Sequence, residues 1–421
     1  MLISKKSFTG VFMILTEKSI SWLDSLIRAL LFVYALTFPI SFAAGNFCID
    51  AALILGAVRV FCQRTDLQMD RKIISVICLY GLMLLCSAIR ADHLNAGFHQ
   101  AYTAIYYMLP PFLLAQLFIL PQRRLYYLGL MLLAILASAL YAYFQALHGF
   151  YRPAGFIDRL ELAGNITQML PVLTLLLCET ASPKNNLRIR LMSAAAILLF
   201  TAALILNGTR GAWLAIGLTL LLYLLHYILT ARKSYMLVSI FLCVLVLSAG
   251  ALSVLPETRE RMLSIASPTD YSKVTRFAMW DSASRMFADH PLIGVGLGNY
   301  YDLYRNQYFD PVPWEKAGNG PDGLTHKHPH NIFLYLLAET GVVGFSSFLL
   351  LIGVVFRHFY SLLQTGSQLS QFFAKMALLL LLSYLSFGLT ENLIFGMYPA
   401  MQSLWFMLGM LWFPCEKPGR R

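Results

Sequence analysis

Charged side chains are scarce in this sequence. Asp, Glu, Lys and Arg make up 13% of the 421 residues, whereas hydrophobic residues make up 58% and the mean hydropathy is +0.65. A soluble domain typically carries about 25% charged residues, so this composition excludes that class. Apolar runs long enough to cross roughly 30 Å of hydrocarbon recur along the chain, and they predict a polytopic helical membrane protein.

Cysteine pairs and internal repeats are also lacking. The seven cysteines lie in or next to the apolar runs, and none lies in the long polar connection, so neither a disulfide framework nor a CxxC metal pair is predicted. We find no repeat of the kind that transporters built from two related halves carry. The net charge of +11 comes from short basic clusters between apolar runs, which is typical of membrane topology and does not indicate a nucleic-acid partner.

The apolar runs predict an all-α fold of about twelve transmembrane helices. The predicted spans are 24–43, 46–62, 73–89, 100–120, 125–147, 162–180, 191–207, 212–230, 235–255, 341–357, 374–391 and 395–413. They divide the chain into an N-terminal bundle at 1–255, a long loop at 256–331 and C-terminal helices at 332–421. Basic clusters such as Arg123 with Arg124 fall on one side, so both termini are predicted to be cytoplasmic and the long loop to lie outside the cytoplasm.

The long loop is predicted to contain ordered structure. Apolar residues at helical spacing predict an amphipathic helix over 275–287, with an i,i+4 ion pair between Asp281 and Arg285. The glycine-rich run 294–298 has the wrong spacing for a dinucleotide fingerprint and indicates a turn where two backbone segments approach closely. The stretch 311–323, rich in Pro and Gly, is interpreted as an irregular lid.

Four charged residues stand at predicted outer membrane boundaries, where an ionised group is costly. Arg210 interrupts two apolar runs in the sequence Asn-Gly-Thr-Arg-Gly-Ala-Trp, Arg152 and Arg159 lie between the fifth and sixth spans, and Glu391 ends the eleventh. An arginine in such a place either faces a polar cavity or snorkels to the interface. The sequence leaves both interpretations open.

The stretch His-Lys-His-Pro-His-Asn at 326–331 has three interpretations. In an extended chain the three histidines share a face and could bind Zn²⁺, but no carboxylate pair is nearby to support a metal site. A solvated loop is the second interpretation. The third is one functional histidine, His330, whose position would be fixed by Pro329 before it and by a helix after it.

These residue types point to a phosphorylated substrate if they form one site. Several arginines can hold a phosphate or diphosphate by charge-assisted hydrogen bonds, and a histidine beside them can accept a proton near neutral pH. At a membrane surface, a diphosphate suggests a lipid-linked donor.

Four segments carry a family resemblance: "NGTRGAWLA" at 207–215, "TRFAMWD" at 275–281, "HPLIGVGLGNYYDLY" at 290–304 and "HPHNIFLYLLAETGVVG" at 328–344. The chain resembles the O-antigen ligase and polymerase superfamily, and within it the bacterial O-antigen ligases. The resemblance implies a multi-pass protein of the bacterial inner membrane with its active site on the periplasmic side. It implies glycosyl transfer from undecaprenyl diphosphate to lipid A-core oligosaccharide in lipopolysaccharide biosynthesis, with membrane lipid as a further partner.

The resemblance also implies roles for individual residues. Arg210 and Arg276 would bind the diphosphate, His330 would be the essential histidine, and Glu391 would be an acid near the site. Relatives carry a further arginine after the fifth span, but this chain lacks their Asn-Pro-Asn segment, which leaves Arg152 and Arg159 as alternatives; His328 is a secondary candidate for substrate contact. The implied reaction is an inverting displacement that requires neither metal nor cofactor.

Three alternatives to a ligase stay open at this point. An O-antigen polymerase and a protein O-oligosaccharyltransferase would use the same donor and share Arg210 and His330. A flippase or transporter would also be polytopic with intramembrane arginines, although the polar residues here gather at one boundary, which favours chemistry at the membrane surface.

Overall fold

The computed structural model of this chain describes residues 17–62, 70–179, 186–230, 259–260, 263–264, 267, 270–310 and 327–412. Within these ranges all regular secondary structure is helical, which agrees with the predicted fold class. The predicted ninth span at 235–255, the lid at 311–323 and His326 lie outside the described residues.

The helices alternate with short connections along most of the described chain. They are α1 (Glu17–Thr37), α2 (Phe42–Cys62), α3 (Arg71–Ala88), α4 (Leu94–Tyr106), α5 (Leu109–Phe118), α6 (Arg124–Leu147), α7 (Arg159–Cys178), α8 (Asn186–Asn207), α9 (Arg210–Thr230), α10 (Tyr271–Asp289), α11 (Tyr300–Leu303), α12 (Ile332–Thr365), α13 (Gln368–Gly388) and α14 (Tyr398–Leu411). Eight helices in the described ranges, α1, α2, α3, α6, α7, α8, α12 and α13, are long and apolar enough to cross a membrane.

The span predicted at 100–120 is two helices, α4 and α5, and not one. The break falls at Tyr107 and Met108, immediately before Pro110 and Pro111 in the first turn of α5. A proline ring clashes with the carbonyl four residues earlier, but it is tolerated in a first turn, where the missing N–H is not needed. The two prolines therefore begin a new helix instead of continuing the old one.

Helix α7 lies at the centre of the bundle, where most of its residues are buried, and packs against α8 and α13. Its polar side chains bond to the first turn of α14: Glu161 accepts from the Ala400 N–H at 3.0 Å, and the Gln168 amide donates to the Ala400 carbonyl at 2.9 Å. Where water is absent, polar groups need such internal partners. These bonds tie α14, and the connection before it, to the middle of the bundle.

The glycine-rich run after α10 crosses α12 at a kink. Gly341 in α12 has a φ of +61°, and on one side of the kink Val295 N donates to the Ala338 carbonyl at 2.9 Å. A Cβ on Gly294 would lie 2.3 Å from the carbonyl carbon of Glu339, closer than any real contact. The interpretation of this run as a close approach of two backbones is confirmed.

The same crossing anchors α10 to the bundle. The buried Glu339 carboxylate accepts from the N–H groups of Gly298 and Tyr300, both at 2.9 Å, while Ser87 of α3 donates to the Glu339 carbonyl at 2.7 Å. Helix α10 covers the predicted stretch 275–287, and its expected pair between Asp281 and Arg285 is present at 2.9 Å. Helix α10, which is not among the described helices apolar enough to cross a membrane, packs against α12.

Substituting Gly294 tests this packing. Gly294→Ala places a Cβ against the α12 backbone at a φ of +72°, so we expect it to destabilise the protein by at least about 2 kcal/mol. Gly353→Ala in α12 is the control, because its Cβ meets no atom within 4 Å and alanine favours the helix by roughly 0.5–1 kcal/mol. Thermal unfolding in detergent gives both values. Equal unfolding midpoints for the two variants would contradict the close packing of the glycine-rich run against α12.

Candidate active site

An open cleft with a volume of about 500 Å³ lies at one end of the bundle. Six of the seven residues singled out from the sequence line it, namely Arg152, Arg159, Arg210, Arg276, His330 and Glu391. The other residues that line it include Asp270, Lys273, Phe277, Trp280 and Thr390. The cleft therefore collects side chains that are up to about 240 positions apart in the sequence.

Several of these side chains come from helix ends and connections, and others come from α10. Arg159 begins α7, Arg210 begins α9, and His330 comes two residues before α12. Asn331 caps α12 by accepting from the Phe333 and Leu334 N–H groups at 3.0 and 3.1 Å. A helix cap fixes the direction in which the chain enters the helix, and so it fixes the neighbouring histidine.

Glu391 lies between an arginine and a histidine. One carboxylate oxygen accepts from Arg276 Nη2 at 2.7 Å, and the other accepts from His330 Nδ1 at 2.8 Å. The Glu391 side chain is 4% exposed, whereas its two partners are about a quarter exposed towards the cleft. Because an ionised carboxylate can only accept, this bond places a proton on Nδ1 of His330, and in the neutral ring the lone pair is then on Nε2.

The pKa of Glu391, which lies in the connection between α13 and α14, is below its ordinary value of 4.5. Burial acts to raise this pKa, but the hydrogen bond from His330 and the charges of His330 and Arg276 outweigh burial. Glu391 is therefore ionised at neutral pH. An ionised carboxylate at Nδ1 stabilises the imidazolium that forms when Nε2 takes up a proton.

Arg210 pairs with a second carboxylate, that of Asp270. Its two terminal nitrogens lie 3.2 and 2.9 Å from the two Asp270 oxygens, and Nη1 also donates to Ser264 Oγ at 2.6 Å. Asp270 in turn caps α10 by accepting from Lys273 N at 3.1 Å. Burial acts to raise the pKa of Asp270, but its hydrogen bond and charge contact with Arg210 leave that pKa below its ordinary value.

The motif around Arg210 shapes the connection between α8 and α9. The Asn207 amide donates to the carbonyls of Pro153 at 2.9 Å and Arg159 at 3.0 Å, which holds the connection between α6 and α7 in place. Gly211 lies against Thr390, where a Cβ would come within 2.3 Å of the Thr390 hydroxyl. The small residues next to Arg210 therefore allow the Glu391 connection to approach.

Two non-glycine residues in the described ranges have a positive φ, and both line the cleft. Arg152 has a φ of +59° and His330 a φ of +49°. Such conformations cost about 1–3 kcal/mol each and occur frequently at functional sites. Arg152 donates to the Gly208 carbonyl at 3.3 Å, and its buried Nε has no hydrogen-bond partner among the described residues. A buried donor of this kind can bond to a bound anion.

Sequence reasoning missed several residues of the cleft. Asp270, Lys273, Phe277 and Trp280 line it but were not singled out as candidates. A signal was present, because positions 273, 276, 277 and 280 share one face of a helix at the i, i+3, i+4 and i+7 spacing, and Asp270 stands where a helix cap belongs. His328 does not line the cleft; its ring packs edge-on against His330 at 4.5 Å.

The zinc interpretation of the three histidines has no support among the described residues, where no group of three or more His, Cys, Asp or Glu side chains could hold a metal ion. His326 lies outside those residues. The cleft instead offers positive charge: of the described side chains that line it, five are cationic and two are carboxylates. This arrangement can bind a polyanion next to a histidine prepared to accept a proton.

Two comparisons with known proteins bear on the family. Residues 194–349 match the model of a family described as O-antigen ligase, a range that includes Arg210, Arg276 and His330. An O-antigen ligase of Salmonella typhimurium (strain LT2) is 28% identical over 218 residues, which are 50% of this chain and 49% of that protein. The aligned region thus spans about half the length of the relative. Together the two matches agree with the resemblance that the four motifs indicate: this part of the chain is similar to O-antigen ligases.

Proposed function

We propose that this chain is an O-antigen ligase, which transfers O-antigen glycan from undecaprenyl diphosphate to lipid A-core oligosaccharide at the periplasmic face of the bacterial inner membrane. The observation that carries the proposal is the position of Glu391 between Arg276 and His330 in a cationic cleft. Glu391 thereby holds an arginine that can bind the donor diphosphate next to a histidine that can deprotonate the acceptor hydroxyl.

The cations of the cleft bind the donor diphosphate. Arg210 and Arg276 supply the main contacts. Arg152 supplies a third, because its buried Nε has no partner in the part of the chain that the structure describes and can donate to the diphosphate. Arg210 is already paired with Asp270, so the diphosphate replaces that carboxylate at the same two nitrogens. Guanidinium groups bind carboxylates and phosphates with the same pair of N–H donors, so Arg210 can exchange one for the other with the same hydrogen-bond geometry.

His330 accepts the proton of the acceptor hydroxyl through Nε2. As the hydroxyl oxygen bonds to the anomeric carbon of the glycan, the bond from that carbon to the diphosphate oxygen breaks and the electron pair leaves with the diphosphate. The arginines stabilise the negative charge that develops on this leaving group. A single displacement of this kind inverts the anomeric configuration. Glu391 orients the His330 ring and stabilises its protonated form.

The reaction is expected to proceed without a divalent metal. In many phosphoryl-transfer enzymes Mg²⁺ neutralises the phosphate oxygens. Here three arginines and Lys273 surround the proposed diphosphate position and can perform that neutralisation. This expectation stays a prediction, and chelation tests it.

An in vitro transfer assay tests the function. Purified protein with undecaprenyl-diphosphate-linked glycan and lipid A-core, in the presence of EDTA, is expected to yield glycan-capped lipid A-core. His330→Ala and Arg210→Ala are each expected to lower kcat by at least about 10²-fold, because they remove the base and a leaving-group contact.

The matched controls are His93→Ala and Arg305→Ala, which change the same residue types outside the cleft and are expected to keep wild-type activity. Lengthening of the donor into polymer would contradict the ligase. A requirement for added metal would contradict the metal-free mechanism, and full activity in His330→Ala would contradict the assignment of the base.

Glu391→Gln tests the orienting role. The amide is nearly the same size but bears no charge, so we expect kcat to fall by at least about 10²-fold while the protein stays folded. Glu179→Gln is the control, since Glu179 pairs with Lys375 and does not line the cleft. Unchanged kcat in Glu391→Gln would show that His330 needs no carboxylate.

The low pKa of Glu391 also predicts how stability depends on pH. In the unfolded chain the Glu391 carboxylate is protonated near the ordinary pKa of 4.5, whereas in the folded protein it is protonated only at a lower pH. The contribution of Glu391 to stability is therefore complete well above 4.5 and is lost as the pH falls through the folded-state pKa. Between pH 5 and pH 3 the unfolding midpoint of the wild type is expected to drop more than that of Glu391→Gln, and parallel curves would contradict the pairing.

A further inference from the structure

We propose that Phe277 and Trp280 form an aromatic subsite that binds a pyranose ring of the acceptor oligosaccharide. This inference rests on the proposed function and extends it, because it assigns recognition of the acceptor sugar to two residues of α10. The two rings lie next to each other, with their centroids 5.5 Å apart and their planes at 87°. Both side chains line the same cleft as His330.

The exposure of Phe277 requires an explanation. Its side chain is 54% exposed on α10, a helix that is 19 residues long but is not among the described helices apolar enough to cross a membrane. Another face of α10, which includes Ala278, Ala283 and Met286, packs into the protein. Phe277 therefore contributes nothing to that core and presents its ring to the cleft.

Trp280 offers its ring, and not its N–H, to the cleft. Its indole nitrogen donates to the Pro329 carbonyl at 2.8 Å, which satisfies the one polar group of the side chain and fixes the ring orientation. Pro329 is bonded directly to His330, so the same hydrogen bond places the ring beside the proposed base. An aromatic surface fixed at this position can contact the sugar whose hydroxyl His330 deprotonates.

The order of residues along α10 separates the two ends of the substrate. Lys273 and Arg276 come first, and Phe277 and Trp280 continue the same face about one turn further, roughly 5.4 Å along the axis. The cations thus face the diphosphate, whereas the aromatic rings lie beyond the reacting carbon. One face of a pyranose ring carries mainly C–H groups and can stack on an aromatic ring, as the flat apolar faces of other ligands do.

The rings of Phe277 and Trp280 could also contact the prenyl tail of the donor. The position of the rings favours the sugar, because Phe277 and Trp280 follow Lys273 and Arg276 on the same face of α10 and Trp280 bonds to the residue before His330. A prenyl tail requires hydrocarbon. The two occupants can be distinguished by kinetics. Loss of a contact to the prenyl tail would raise the donor KM, whereas loss of a contact to the stacked sugar would raise the acceptor KM.

The test measures donor and acceptor KM separately for Phe277→Ala and Phe277→Tyr in the same transfer assay. For Phe277→Ala we expect the acceptor KM to rise about three- to tenfold, with the donor KM unchanged. Phe277→Tyr keeps the ring and is expected to retain the wild-type acceptor KM. Phe150→Ala removes an exposed phenyl ring outside the cleft and is expected to change neither constant.

Each outcome has one meaning. A rise in acceptor KM that Phe277→Tyr does not show supports the subsite. Unchanged constants in Phe277→Ala, or a rise in donor KM, would overturn it while leaving the ligase function intact. Failure of the wild type to transfer glycan to lipid A-core would overturn the proposed function itself, so the two failures are distinguishable. Unfolding midpoints measured on the same samples show whether the variants are folded.

Discussion

The site depends on one buried carboxylate that has two partners. Glu391 bonds to Arg276 and to His330, and a buried carboxylate without such partners would be strongly destabilising or would take up a proton. Its position is held from two sides: Asn331 donates to the Leu389 carbonyl at 3.1 Å, and Gly211 leaves room for Thr390. Both contacts hold the connection that carries Glu391 against the neighbouring helices.

The same carboxylate explains why a strained histidine persists. His330 has a φ of +49°, a conformation that favours glycine, yet three contacts hold it: the bond to Glu391, the Asn331 cap of α12, and the Trp280 bond to the Pro329 carbonyl. Strain that several contacts maintain is typical of a prepared site. Under the proposed function, Arg276 and His330 are thus in position before substrate binds, which lowers the cost of ordering them during the reaction.

Local features of the chain were predictable from the sequence, whereas pairings between distant segments were not. The helix over 275–287 and the glycine turn follow from periodicity and from backbone freedom, both of which act over a few residues. The pairing of Arg210 with Asp270 joins positions 60 residues apart and depends on packing that no local pattern encodes. The break between α4 and α5 was missed because apolar length outweighed the two prolines in the prediction.

The protonation state of His330 is the most direct test of this account. Nitrogen-15 NMR of histidine-labelled protein, with His330→Gln to assign the signal, reports which ring nitrogen carries the proton. If Glu391 orients His330 as the base, the neutral ring carries its proton on Nδ1, bonded to Glu391, and its lone pair on Nε2. A neutral ring with its proton on Nε2 would contradict His330 as the base that Glu391 orients.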